Sequence, residues 1–87
     1  MKYTVLWHSQ AEDQLAALWM AAADKPSVTA AAHRIDHLLE SNPSIQGESR
    51  GDDDRIMFEP PLAVLFRVDL TGRTVHVVSV GWSGKPA

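Results

Sequence analysis

The apolar positions of this 87-residue chain change period near residue 43, which divides it into a helical part followed by a strand part. Tyr3, Val5 and Trp7 alternate with Thr4 and Leu6 in a β-branched and aromatic run, which predicts a short strand over residues 3–7. Ser9, with Glu12 three residues on, has the form of a capping box and predicts a helix start. Ala11, Leu15, Leu18, Trp19 and Ala22 then recur at helical spacing, with Glu12, Asp13 and Gln14 outside the stripe. This places Trp19, like Trp7, among the packing residues. The stripe ends near Asp24-Lys25-Pro26. Pro26 suits the first turn of a second helix capped by Asp24 or Lys25, and Val28, Ala31, Ala32, Ile35, Leu38 and Leu39 form its stripe. Asn42-Pro43 ends it.

After this αα-hairpin the period falls to two. Arg55 to Glu59 alternates, Pro60-Pro61 interrupts, and Leu62 to Asp69 places Leu62, Val64, Phe66 and Val68 on one face and Ala63, Leu65, Arg67 and Asp69 on the other. Residues 69–73 read as a tight hairpin with Gly72 in the left-handed position, and Thr74 to Gly81 as the return strand. A three-residue loop, Leu70 to Gly72, sets His76 opposite Phe66 and toward the core. A two-residue loop, Thr71-Gly72, sets His76 opposite Arg67 on the other face. Both registers fit the pattern.

The predicted order is strand, helix, helix, strand, strand, strand: an α+β domain over residues 1–87, with a helical hairpin covering one face of a small, mainly antiparallel sheet. The Ala, Leu, Val and Met side chains on sheet positions exceed what two helices cover, so the other face is open to a partner.

Composition narrows the function classes. The chain has no cysteine, which removes disulfides, thiolate metal cages and cysteine nucleophiles and fits a reducing compartment, the cytoplasm. The run before His8 is too short for a signal-peptide core, and no apolar run approaches the ~20 residues of a membrane span. The net charge of -3 argues against coating nucleic acid by bulk attraction. From residue 55 onward, however, Arg55, Arg67, Arg73 and Lys85 stand against only Glu59 and Asp69. If the open face collects Arg55 and Arg67, their guanidinium forks suit phosphate oxygens. The competing reading pairs each arginine with a nearby carboxylate, Arg67 with Asp69 or Glu59 for example.

Other groups carry less chemistry. Asp52, Asp53 and Asp54 read as a solvated loop, since consecutive extended residues point in alternate directions and cannot chelate together. His33 and His37 share one helix face but lack the glutamate of a zinc-protease motif, which places them in solvent. His8 reads as a surface residue. Ser79 and Ser83 lack a nucleophile elbow. His76, on the open face beside Arg67, would be a proton donor or acceptor near neutral pH. Trp82, following Gly81, is a candidate exposed stacking or anchoring residue. No metal or cofactor site is expected.

The chain resembles the RelE/ParE superfamily of type II toxin–antitoxin toxins. The resemblance runs through residues 5–11 with Leu15, residues 32–39, Asn42-Pro43 and Gly47, then residues 55–58, residues 61–68 and residues 77–81. It implies the fold above, a cognate antitoxin bound by helix-in-groove or strand addition, and growth inhibition through mRNA cleavage on the ribosome or through DNA gyrase, as in plasmid-stabilization systems. If active as an mRNA interferase, such a chain is a metal-independent endoribonuclease whose basic residues hold the phosphate while the ribose 2′-hydroxyl attacks. Arg55 matches the first basic position of those enzymes. Met57 stands at the second, Ala63 at the strand-opening arginine, and Trp82-Ser83-Gly84 after the last strand, with no tyrosine beyond Tyr3. The resemblance and the charge pattern together nominate Arg55, Arg67 and His76 for catalysis, and Arg50, Arg73, Trp82 and Lys85 for binding nucleic acid or antitoxin. The alternative is a non-catalytic interaction domain, or an inactive toxin relic, on the same fold.

Overall fold

The computed structural model describes residues 2–51 and 53–87. Strand β1 (Thr4–Trp7) leads into helices α1 (Ser9–Ala21) and α2 (Lys25–Ser41). A 3₁₀ turn (Pro43–Ile45), the short strand β2 (Glu48–Ser49), and strands β3 (Asp54–Glu59), β4 (Leu62–Asp69) and β5 (Thr74–Trp82) follow. The sheet order is β1-β5-β4-β3-β2. All neighbours are antiparallel except β1 and β5, which run parallel, so the first and last strands of the chain lie side by side.

Helix α1 begins at Ser9 with His8 as its cap, and no side chain caps it. The expected Ser9–Glu12 capping box therefore does not form. The His8 N–H is taken by the Val77 carbonyl at 2.9 Å, which holds His8 extended and moves the cap one residue upstream of the serine. Helix α2 follows expectation: the Asp24 carboxylate accepts from the Ser27 N–H at 3.2 Å, and Pro26 sits in the first turn, where its missing N–H costs nothing.

The core lies between the helices and one sheet face. Val28, Ala31, Ile35 and Leu39 of α2 and Ala11 and Ala22 at α1 pack with Met57, Leu62, Val64, Phe66, Val75, Val77 and Val80. Burial of side chains the size of Phe66, Ile35 or Leu39 contributes ~1.5–3 kcal/mol each. Met57 is buried, so it is not part of the apolar surplus on the open face. Trp19 departs from expectation in the opposite sense: it is 43% exposed, and Lys25 Nζ lies 5.3 Å from its ring centroid.

The β4–β5 hairpin takes the second of the two registers, with Asp69 opposite Thr74 and Arg67 opposite His76, around a loop of residues 70–73. The left-handed residue is Arg73 (φ 48°), not Gly72. Gly72 N–H donates to Asp69 Oδ1 at 3.0 Å, and a Cβ there would stand 2.6 Å from Asp69 Oδ2, so the carboxylate would have to turn aside. Along the ladder the pairing steps from Leu65↔Ser79 to Phe66↔Val77, a bulge that lets Val77 and Val80 both face the core. Trp82, opposite Leu62, is half-buried against that core and is not the exposed anchor its position after Gly81 suggested.

Candidate functional site

Strand parity decides which side chains share the face that the helices leave open. Phe66 and Val77 are buried under the helices, so their neighbours Arg67 and His76 lie on the opposite face, and Asp54, paired with Arg67, lies there too. Leu6 of β1 pairs with His76, extending the row across the sheet. Arg67 Nε donates to Asp54 Oδ1, an ion pair whose side chains are 59% and 27% exposed. Arg67 therefore pairs with the first residue of β3, not with Asp69 or Glu59, and Asp54 is a strand residue instead of part of a solvated loop. Asp52 lies outside the described residues. Glu59 serves Arg34 of α2, whose Nε donates to it at 2.7 Å.

At the far end of the row the His8 and His76 rings meet edge to face, with centroids 5.0 Å apart. His8 Nε2 and His76 Nδ1 stand 2.9 Å apart, so one proton joins the two imidazoles. His8 is a surface residue as expected, but nothing in its local sequence announces this partner. The contact follows from the parallel pairing of β1 with β5.

Arg55 is not in this row. It pairs with Phe66 and so points to the helix side at the margin of the sheet. There its Nε donates to the Gln46 carbonyl at 2.9 Å, and a terminal nitrogen donates to the Gly47 carbonyl at 3.1 Å. The guanidinium ties down the turn that leads into β2. The open face thus does not collect Arg55 and Arg67, because parity sends them to opposite sides. The alternation was the available signal: Arg55 shares its parity with Met57, a core residue.

Between the Asp54–Arg67 pair and the far end of the sheet, the open face is apolar. Ile56 stands opposite Leu65 and Phe58 opposite Ala63, with Ser79 and Gly81 beyond them on β5. Phe58 is 52% exposed. The other nominated residues are dispersed. Arg50 pairs with Glu48 at 3.5 Å, Arg73 lies over the Tyr3 ring with its guanidinium carbon 5.9 Å from the centroid, and Lys85 is exposed near the C-terminal end. A second surface, on the helix side, is a groove of about 900 Å³. It runs between α1, α2 and β1, over Leu15, Trp19, Met20 and Ala32, with Glu12 and Asp36 among its lining acids. The Trp7 indole donates to Asp36 at 2.6 Å on this side. The groove exists because Trp19 and Met20 stand out of the core, which the helical stripe alone did not indicate.

Chemically, the row offers one arginine already engaged by a carboxylate and one histidine pair, and the face beside it offers apolar contact area. The architecture is an α+β fold whose helical hairpin covers one face of a mixed sheet and leaves the other available to a partner. No family model and no curated protein matches the sequence. Solved structures do match it. The RelBE2 toxin–antitoxin complex of Mycobacterium tuberculosis superposes with a TM-score of 0.75 at 21% identity, covering 94% of this chain and 99% of that one. The chromosomal ParDE system of P. aeruginosa gives 0.71 at 15% identity, covering 94% and 97%. The intact E. coli RelBE complex gives 0.68 at 20% identity, covering 95% and 99%. The fold of this chain is the RelE/ParE toxin fold that its sequence resembles.

Proposed function

We propose that this chain is the toxin of a type II toxin–antitoxin pair, held by a cognate antitoxin, and that it acts by binding a protein target and not by cleaving RNA. The near full-length likeness to toxins solved in toxin–antitoxin systems supports the first half. The second half is carried by one observation: the two arginines nominated for the phosphate face opposite sides of the sheet, one tying a turn and the other held by Asp54. A metal-independent nuclease stabilises the charge that develops on the phosphate with preorganised cations. Of the positions that the resemblance matches to such cations, Met57 and Ala63 carry none, and the face beside Arg67 presents Ile56, Phe58 and Ala63. An apolar face of this kind suits a protein surface, DNA gyrase being the target class that the ParE side of the resemblance implies. Among the described residues no helix is long and apolar enough to cross a membrane, and the proposed site of action is the cytoplasm.

Induced expression of the chain alone, and together with the product of its adjacent open reading frame, tests this reading. Growth arrest relieved by the neighbour, with intact transcripts by primer extension, is the expected outcome. Translation-dependent mRNA cuts that disappear in an Arg67→Ala variant would refute the binding mechanism. Harmless expression and no complex with the neighbour would favour the non-catalytic interaction domain.

A further inference from the structure

We infer that His8 and His76 form a binding site for a late first-row divalent cation of the zinc, nickel or copper(II) class. The inference does not depend on the toxin reading. Two imidazole nitrogens from residues far apart in sequence are aimed at one another across 2.9 Å. Neutral imidazole is a preferred ligand of these metals, whereas magnesium and calcium want oxygen. Nitrogens each ~2.0–2.1 Å from a tetrahedrally bound ion lie about 3.3 Å apart. To admit a metal in place of the hydrogen bond, the nitrogens part by about 0.4 Å and the rings turn so that both lone pairs point at the ion. That movement is available because His8 is exposed and its ring is held by no other hydrogen bond.

The electrostatic surroundings favour a cation over an anion. The hollow beside His76 is lined by Asp53, Arg67, Val68, Asp69 and Leu70, so two carboxylates stand there with a guanidinium already engaged by Asp54. No group of three or more His, Cys, Asp or Glu side chains converges on one point among the described residues. Water or a partner's donor atom therefore fills the remaining coordination positions. One ligand lies at the β1–α1 junction and the other on β5, so the site exists only in the folded chain and a bound ion clamps those two elements together. His33 and His37, both exposed on α2, provide an internal control, because one helical turn also brings that pair within reach of a metal.

The untagged chain is titrated with nickel or zinc chloride alone by isothermal calorimetry, alongside the double variant His33→Ala/His37→Ala and that variant carrying His8→Ala or His76→Gln. The expected result is one ion per chain in the His33→Ala/His37→Ala variant, with affinity reduced about tenfold or more when His8→Ala or His76→Gln is added to it, since losing a direct ligand costs at least what losing an outer-shell partner costs. In that same background metal should raise the melting temperature, and adding His8→Ala should abolish the rise. His8 is exposed, so His8→Ala keeps the fold and the comparison holds even if His76→Gln does not. Unchanged affinity on adding His8→Ala to the His33→Ala/His37→Ala chain, or loss of binding in that chain itself, would overturn the assignment.

Discussion

Arg55→Ala and Arg67→Ala should differ sharply in stability, although both remove an arginine that the charge pattern nominates for the same phosphate. Arg55 is half-buried and spends two donors on backbone carbonyls, Gln46 at 2.9 Å and Gly47 at 3.1 Å. Hydrogen bonds from a charged donor contribute ~1.5–3 kcal/mol when water cannot replace them. The Gln46 bond is the part-buried one and sets most of the cost, while water can take over at the exposed Gly47 carbonyl. The loss should be about 1.5–2.5 kcal/mol. In a domain of this size that lowers the melting temperature by about 10 °C, at 4–8 °C per kcal/mol. Arg67 holds Asp54 with most of its side chain in water, a class of pair worth ~0.2–1 kcal/mol, and its removal should lower the melting temperature by ~1–8 °C by the same conversion. Arg55→Lys keeps the charge without the fork and should recover only part of the loss. Thermal melts by circular dichroism and urea curves by tryptophan fluorescence measure all three variants. Equal losses for the two alanine variants, or a loss below about 0.5 kcal/mol at Arg55, would refute the assignment of Arg55 to the fold.

Gly47→Ala should be among the most damaging single substitutions, by about 2 kcal/mol or more in urea denaturation, because φ is +67° and the added Cβ would stand 2.0 Å from the Ile56 carbonyl oxygen. Asp24→Ala removes the cap of α2 and should cost ~1 kcal/mol by the same measurement, with Asp24→Asn close to wild type. Phe58→Glu, on the open face, should change stability by less than about 1 kcal/mol yet abolish growth arrest in the induced-expression assay; retained arrest would move the target surface elsewhere.

Where a feature depends on period alone, it could be read from the chain. The span Leu62 to Asp69 and the division of its side chains between two faces match β4, and the cap, first-turn proline and stop of α2 stand where the residues placed them. What period does not encode is which element lies alongside. β1 meets β5 across nearly the whole chain, so the His8–His76 contact had no local signature. The hairpin register was open between two loops because either turn kept an apolar set on the core face, and the observed turn is longer than both. Trp19 fits the helical stripe, but it stands 43% exposed and lines a groove with residues of α2 and β1. Asp54, read with Asp52 and Asp53 as a solvated loop, opens β3 although acidic residues are poor strand formers. The cross-strand partner Arg67 compensates by supplying the opposite charge.

The composition of the open face also bears on how any partner would hold it. A surface that binds nucleic acid through Z phosphate contacts loses affinity with salt at a slope of ~-0.9Z for duplex DNA and ~-0.7Z for single strands. On this face the arginine in the end row already has a carboxylate, and the rows beyond it present Ile56, Phe58, Ala63 and Leu65. A phosphate bound at Arg67 would stand beside the Asp54 carboxylate that already accepts from its Nε, so two anions would share one guanidinium. Covering Phe58 with an apolar side chain, by contrast, removes a half-exposed aromatic ring from water, an effect of ~1.5–3 kcal/mol for full burial that salt does not screen. A partner seated on this face therefore gains from apolar burial first, with Arg67 and the Asp54 carboxylate setting its orientation. A protein segment with an apolar stripe and a charged flank meets both demands, whereas a phosphate backbone meets neither.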